Sequence, residues 1–158
     1  MTIDPREFRD SMGSFVTGVT VITTRDHRGQ LVGNTVNSFN SVSLDPPLIL
    51  WSLGRLAYSM RAYLSSEYFA VNVLREGQEP LSVTFAKPSS TKWEGVEHRI
   101  GETGCPILPG VLAVFECKIA HTYMGGDHVI FVGEVVKASA DPDGRPLAFF
   151  RGAYAKLA

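Results

Sequence analysis

The stretch VLAVFECKIAHTY-MGGDH-VIFVGEVVKASA, Val111 to Ala140, decides the fold. Two long runs rich in β-branched and aromatic residues, Val111–Tyr123 and Val129–Ala140, flank five residues that include Gly125 and Gly126. So short a link permits only an antiparallel return. Within the first run Ala113, Phe115, Cys117 and Ile119 alternate onto one face, as a half-buried strand requires.

The same grammar extends outward. Val19–Thr24 is β-branched throughout, Asp26–Gly29 turns the chain, and Leu31–Asn37 can pair back as a hairpin. Leu48–Leu53 follows a double proline, Tyr68–Leu74 alternates, Asp141–Gly144 is a further turn, and Leu147–Phe150 reads as a last strand. Helix signals are short. Asp4-Pro5-Arg6-Glu7 combines an N-cap, a proline at the first helical position and a capping-box glutamate, predicting a helix to about Phe15. Shorter helices are expected over Ala57–Ser65 and Glu79–Phe85. Six or more strands joined by tight turns predict a mostly β chain, an antiparallel barrel in one domain over residues 1–158. Regular strand–helix alternation and a G-x-G-x-x-G are both missing, so any nucleotide must be held by a different device from a Rossmann fold.

Several function classes are excluded by composition. Fifteen basic and sixteen acidic side chains leave a net charge of −1, against the basic excess of a nucleic-acid binder. No apolar run approaches the roughly 18 residues of a membrane-spanning helix, and Met1–Arg9 is polar and charged, unlike a secretory leader. Cys105 and Cys117 form no metal-binding pattern, and no Asn-x-Ser/Thr site occurs; the expected setting is cytoplasmic. His27, His98, His121 and His128 have no partners at ligand spacing, so no metal is expected. A nucleophile elbow and a P-loop are also missing.

Asn34-Thr35-Val36-Asn37-Ser38-Phe39-Asn40-Ser41-Val42-Ser43 is the most unusual composition, with seven Asn, Ser or Thr in ten residues between apolar strands. Such amides, hydroxyls and backbone N–H groups suit a flat heteroaromatic ring edged by carbonyls, or phosphate oxygens. A well-bonded loop capping a barrel end would use the same residues. Trp51–Ser59 passes from strand to helix, where Arg55 and Ser59 can meet a phosphate. Phe85-Ala86-Lys87 and Lys92-Trp93 offer a cation beside aromatic rings. His128 ends a turn whose two glycines allow close approach to the backbone.

In combination these blocks resemble the flavin reductase domain, the small reductase component of two-component flavin monooxygenases. The resemblance rests on Phe15–Val21, Thr35–Pro47, Phe69–Leu74, Gly126-Asp127-His128 and Pro146–Tyr154, in that order along nearly the whole chain. It implies an FMN-binding split β-barrel of Greek-key type with a few short flanking helices. It also implies FMN or FAD as the flavin, NADH or NADPH as hydride donor, a homodimer, and a separate monooxygenase reached by diffusible reduced flavin. Carried onto this chain, Thr35, Val36, Asn37, Ser38, Phe39, Asn40, Ser41 and Ser43 lie along the flavin. Ser52, Arg55, Ser59, Phe85, Ala86, Lys92 and Trp93 complete its site. Asp127 and His128 serve the nicotinamide, with His128 the candidate catalytic residue, and Arg151 and Tyr154 approach the same pocket. Two other uses of the barrel stay open: a flavin-binding electron carrier or flavin store without turnover, and an oxidase of the pyridoxamine-phosphate type.

Overall fold

The computed structural model describes residues 2–158. Its helices are α1 (Pro5–Met12), α2 (Met60–Ser65) and α3 (Glu79–Ala86). Its strands are β1 (Thr17–Gly18), β2 (Thr20–Arg25), β3 (Leu31–Val36), β4 (Asn40–Leu44), β5 (Pro47–Gly54), β6 (Tyr68–Val73), β7 (Arg99–Ile100), β8 (Pro106–Ile107), β9 (Ala113–Gly125), β10 (His128–Ala140), β11 (Ala148–Phe150) and β12 (Ala153–Ala155). Seven of them form one antiparallel sheet in the order β3-β2-β6-β9-β10-β5-β4. A three-stranded sheet, β1-β11-β12, and the small β7-β8 pair complete the fold.

The order of the large sheet dictates its shape. Its two edges, β3 and β4, are consecutive in the chain and joined only by Asn37–Phe39. Laid flat, six inter-strand spacings of about 4.8 Å would hold those edges roughly 29 Å apart. Four Cα steps reach at most about 14 Å. The sheet therefore rolls until its edges approach, and the polar stretch occupies the place where they meet.

The anchoring hairpin is longer than its sequence suggests. β9 runs on through Met124 and Gly125, and His128 is the first residue of β10, so only Gly126 and Asp127 turn. Gly126 takes φ +68°, a left-handed conformation that glycine adopts without penalty. Register shifts at Val132/Gly133 and Val135/Lys137 bend the pair, and bulges of this kind increase local twist. At Gly133 a Cβ would stand 2.4 Å from the Phe69 ring, so glycine is what lets that ring fill the bend.

The core inside the roll is aromatic. Trp51 stacks on Phe131 at 4.6 Å and meets Tyr63 and Phe69 edge-on at 4.8 and 5.7 Å. The Tyr63 hydroxyl donates to the Ile22 carbonyl at 2.8 Å, and burial holds its pKa well above the ordinary phenol range. Cys117 belongs to this cluster with Phe115 and Ile119 against it. A second cluster, with Val21, Leu74, Phe85, Leu108 and Leu147, packs α3 and the small sheet against the other face.

Several expected boundaries move. α1 stops at Met12, three residues before Phe15, because the chain turns at Gly13. α2 begins at Met60, not Ala57, since Gly54–Ala57 forms a turn closed by an Ala57 N–H to Gly54 carbonyl bond. The short strands β1, β4, β7, β8 and β12 carry too few residues for a period-2 signal.

Candidate flavin and nicotinamide site

The polar stretch is three structures in sequence. Asn34–Val36 ends β3, Asn37–Phe39 crosses between the edges, and Asn40–Leu44 forms β4. Two of its four hydroxyls, those of Thr35 and Ser38, are already engaged, and so are two of its amide oxygens. The Thr35 hydroxyl donates to the Ser82 carbonyl of α3 at 2.6 Å. Asn34 Oδ1 accepts from the Ser59 hydroxyl at 2.6 Å. Asn40 Oδ1 accepts from the Ser41 N–H at 2.8 Å. Val36 and Phe39 turn inward onto the main core, with Phe39 5.5 Å from the Phe115 ring.

Ser38 continues the sheet by side chain where the backbone leaves it. β4 pairs with β5 only as far as Asn40 opposite Leu50, so two more residues each way set Ser38 opposite Ser52. There the Ser52 N–H donates to Ser38 Oγ at 2.9 Å and the Ser38 hydroxyl donates to the Ser52 carbonyl at 3.2 Å. Among the described residues, the N–H groups of Asn37, Ser38 and Phe39 find no backbone acceptor. What the stretch leaves free is therefore these main-chain donors, beside the exposed Asn37 and the exposed edge of β4.

The second half of the site is fixed by β5 and β10. His128 pairs with Gly54, and the Arg55 N–H donates to the Asp127 carbonyl at 2.9 Å. Only Leu53 separates Gly54 from Ser52, so the pairing partners of His128 and Ser38 are next-but-one on β5. His128 Nε2 lies within ordinary contact of this pair, 4.0 Å from where a Cβ on Gly54 would stand. Asp127 Oδ1 is 2.7 Å from His128 Nδ1, and that hydrogen bond holds the Asp127 carboxyl below the usual carboxylate range. Nδ1–H donating to an ionised Asp127 leaves Nε2 as an acceptor.

Ser59, Lys92 and Trp93 come together around a cavity of about 300 Å³ beside Gly33. Lys92 Nζ donates to the Gly33 and Phe85 carbonyls at 3.0 and 3.1 Å, and burial lowers its pKa from the ordinary lysine value. Trp93 stands edge-on to Phe85 at 4.8 Å, and its Nε1–H is buried without a partner. Gly33 is required by this packing, since a Cβ would stand 2.6 Å from the Phe85 ring. Two expectations need correction. The Phe85 ring is fully buried in the second core cluster and supports Trp93 from behind, so it cannot itself flank a ligand. Ser59 is not a helix-terminus phosphate donor in this conformation, because α2 has six residues and the Ser59 hydroxyl is spent on Asn34.

Arg55 and Ala86 are exposed, and Ser41 and Ser43 lie on the β4 edge. Arg151 and Tyr154 belong to the small sheet. Arg151, at φ 49°, lies against the Phe150 ring and bonds back to Gly13. The Tyr154 hydroxyl donates to Ser82 Oγ at 2.8 Å, and Ser82 is also the residue that Thr35 holds. The C-terminal strand is thus tied to the polar stretch through α3. Sequence reasoning missed Arg28, Tyr58 and Arg61, which line the same cavity as Lys92. Asp26–Gly29 carried only a turn signal, and two cations thirty-three residues apart leave no local pattern.

The cavity, the unpartnered indole N–H and the free main-chain donors fit a polar, ring-bearing ligand with a phosphate. Comparison with known proteins agrees. The flavin reductase-like domain model matches residues 12–158. The chain is 43% identical over 152 residues to the FMN reductase (NADH) SmoA of Agrobacterium fabrum, covering 96% of this chain and 86% of that one. It is 42% identical over 154 residues to HsaB, the reductase subunit of a flavin-dependent monooxygenase of Mycobacterium tuberculosis, covering 96% and 82%. The solved structure of the NADH:FAD oxidoreductase SgcE6 of Streptomyces globisporus, in complex with NAD and FAD fragments, superposes with a TM-score of 0.93 at 38% identity, covering 100% and 97%. The chain spans 48% of the length of a further curated relative and 54% of a further solved chain. By its matched residues and its fold, this chain belongs to the flavin reductase-like domain family.

Proposed function

We propose that the chain is an NAD(P)H-dependent flavin reductase that passes reduced FMN or FAD to a separate monooxygenase. The observation that carries this reading is the contact between its two halves. The Ser38–Ser52 anchor of the polar stretch and the Gly54–His128 pair are neighbours on β5. When both cofactors are bound they supply the chemistry, a hydride moving from nicotinamide to flavin.

The residues of this chain bind, orient and polarise. Main-chain N–H groups of Asn37–Phe39 would donate to the electron-rich edge of a bound flavin and favour the charge that develops there. Asp127 fixes the His128 tautomer, so Nε2 accepts an amide N–H of the kind a nicotinamide carboxamide carries. Holding two rings in register makes their encounter effectively intramolecular, and no nucleophile or acid–base pair is needed. Thr35, Ser59 and Tyr154 act behind the ring-facing surface by holding α2, α3 and the small sheet against it.

The rolled sheet supports assignment as a split barrel, and residues 1–158 as one reductase unit. Exposed Phe8, Met12 and Phe15, 54–68% accessible on and after α1, support pairing of two copies. Two free, buried cysteines suit a reducing cytoplasm. No helix among the described residues is long and apolar enough to cross a membrane. The direct test is nicotinamide oxidation by purified protein with added FMN or FAD. Turnover with one donor–flavin pair supports the reading, and none with any pair overturns it.

A further inference from the structure

The cavity beside Lys92 does not include the His128 turn in its lining. Its walls are the β2–β3 turn, the start of α2 and residues 89–93. It touches the polar stretch only at that stretch's N-terminal approach, through Gly33 and the Ser59 that bonds Asn34. Neither Ser38, Ser52, Gly54 nor His128 lines it. A ligand whose ring lies by Ser38 and His128 therefore reaches this cavity with its tail.

The cavity is built for more than one phosphate. Arg28, Arg61 and Lys92 line it against a single carboxylate, Asp26. That carboxylate is committed to its own turn, where Asp26 Oδ1 accepts the Arg28 and Gln30 N–H groups at 2.8 and 2.9 Å. Tyr58, 78% accessible, stands at the rim with an open aromatic face, and such a face stacks on a planar base. A volume of about 300 Å³ is at the lower end for small-molecule sites, roughly 300–1,000 Å³, and exceeds what one phosphate fills.

We propose that this cavity receives the adenosine diphosphate end of FAD, so that FAD binds more tightly than FMN, with Arg28 and Arg61 setting the difference. The inference rests on the flavin reading above. The nicotinamide cofactor carries the same adenosine diphosphate group, but its docking turn is bonded to Gly54 and Arg55, neither of which lines the cavity.

Equilibrium titration of the full chain with FMN and FAD, read by flavin fluorescence, tests it. FAD is expected to bind at least about tenfold more tightly than FMN. The double variant Arg28→Ala/Arg61→Ala should weaken FAD by about tenfold and leave FMN within about twofold. AMP, the part of FAD that FMN lacks, should compete with FAD and leave FMN binding within about twofold. Equal affinity for the two flavins, or a variant that weakens both equally, overturns the inference while flavin binding itself stands. AMP that competes with NADH but not with FAD overturns it by giving the cavity to the other cofactor. Failure of both flavins to bind overturns the flavin reading and this inference together.

Discussion

The Ser38 side chain stands in for a strand: it accepts from the Ser52 N–H at 2.9 Å and donates to the Ser52 carbonyl at 3.2 Å. β4 thus ends at Asn40 without leaving the β5 edge unpaired, and the N–H groups of Asn37–Phe39 are left without backbone acceptors. Ser38→Ala removes both bonds from a half-buried pair. It should cost about 1–3 kcal/mol in urea unfolding and weaken flavin binding. Ser38→Thr, which keeps the hydroxyl, should restore most of both. A stable variant with unchanged flavin affinity would separate the anchor from the site.

Little of that was legible from composition. The density of Asn, Ser and Thr in Asn34–Ser43 marked the segment, but not that Thr35, Ser38 and Asn34 spend their side chains on Ser82, Ser52 and Ser59. Those partners lie 14 to 47 residues away, beyond any local pattern. The long hairpin, by contrast, was plain, because thirteen-residue strands carry many periods of alternation. Two-residue strands such as β1 carry none. The Gly-Asp-His motif was legible as a motif. Its contact with Gly54 depends on the β10–β5 register, which no local signal encodes.

His128→Ala should raise the nicotinamide KM several-fold and leave flavin affinity unchanged in steady-state assays. Asp127→Ala, which keeps the imidazole but frees its tautomer, should give a smaller rise of the same kind. Asp127 is held below the usual carboxylate range, so it stays ionised through neutral pH and the pairing is lost only as pH falls below that range. An unchanged nicotinamide KM in both variants would remove this turn from the nicotinamide site.

Gly33→Ala would set a Cβ 2.6 Å from the Phe85 ring and 3.2 Å from Trp93. Overpacking of this kind costs about 1–3 kcal/mol, and here it also displaces Lys92, which bonds the Gly33 carbonyl. Thermal unfolding should show the loss, with weaker flavin binding beside it. Gly18→Ala is the control, since nothing lies within 4 Å of its Cβ position.

With Lys92 at the flavin phosphate, as proposed, flavin binding should have a pH dependence of definite sign. Its burial lowers the pKa, so the charge that attracts phosphate is present below that value and lost as pH rises through it. The titratable groups sharing its cavity are Asp26, His27, Arg28, Tyr58 and Arg61. Flavin affinity should therefore begin to fall at a pH below the ordinary lysine value of 10.5. Lys92→Arg should move that fall to higher pH. Fluorescence titrations between pH 7 and about 10 read the difference.

Cys105 and Cys117 should resist thiol reagents in the native protein. Burial raises both thiols, that of Cys117 to about 12, so neither forms thiolate at neutral pH. Labelling with a chromogenic disulfide reagent should be slow until denaturant is added, after which two thiols react. Rapid native labelling would contradict the buried placement.

The central claim is catalysis of hydride transfer to a flavin that then leaves. It is tested most directly by mixing a trace of protein with excess NADH and excess free FMN or FAD under anaerobic conditions, and following flavin absorbance. The account predicts bleaching of many flavins per protein, with one nicotinamide oxidised for each. Bleaching that stops at one flavin per protein would contradict it and make the chain a flavin carrier or store.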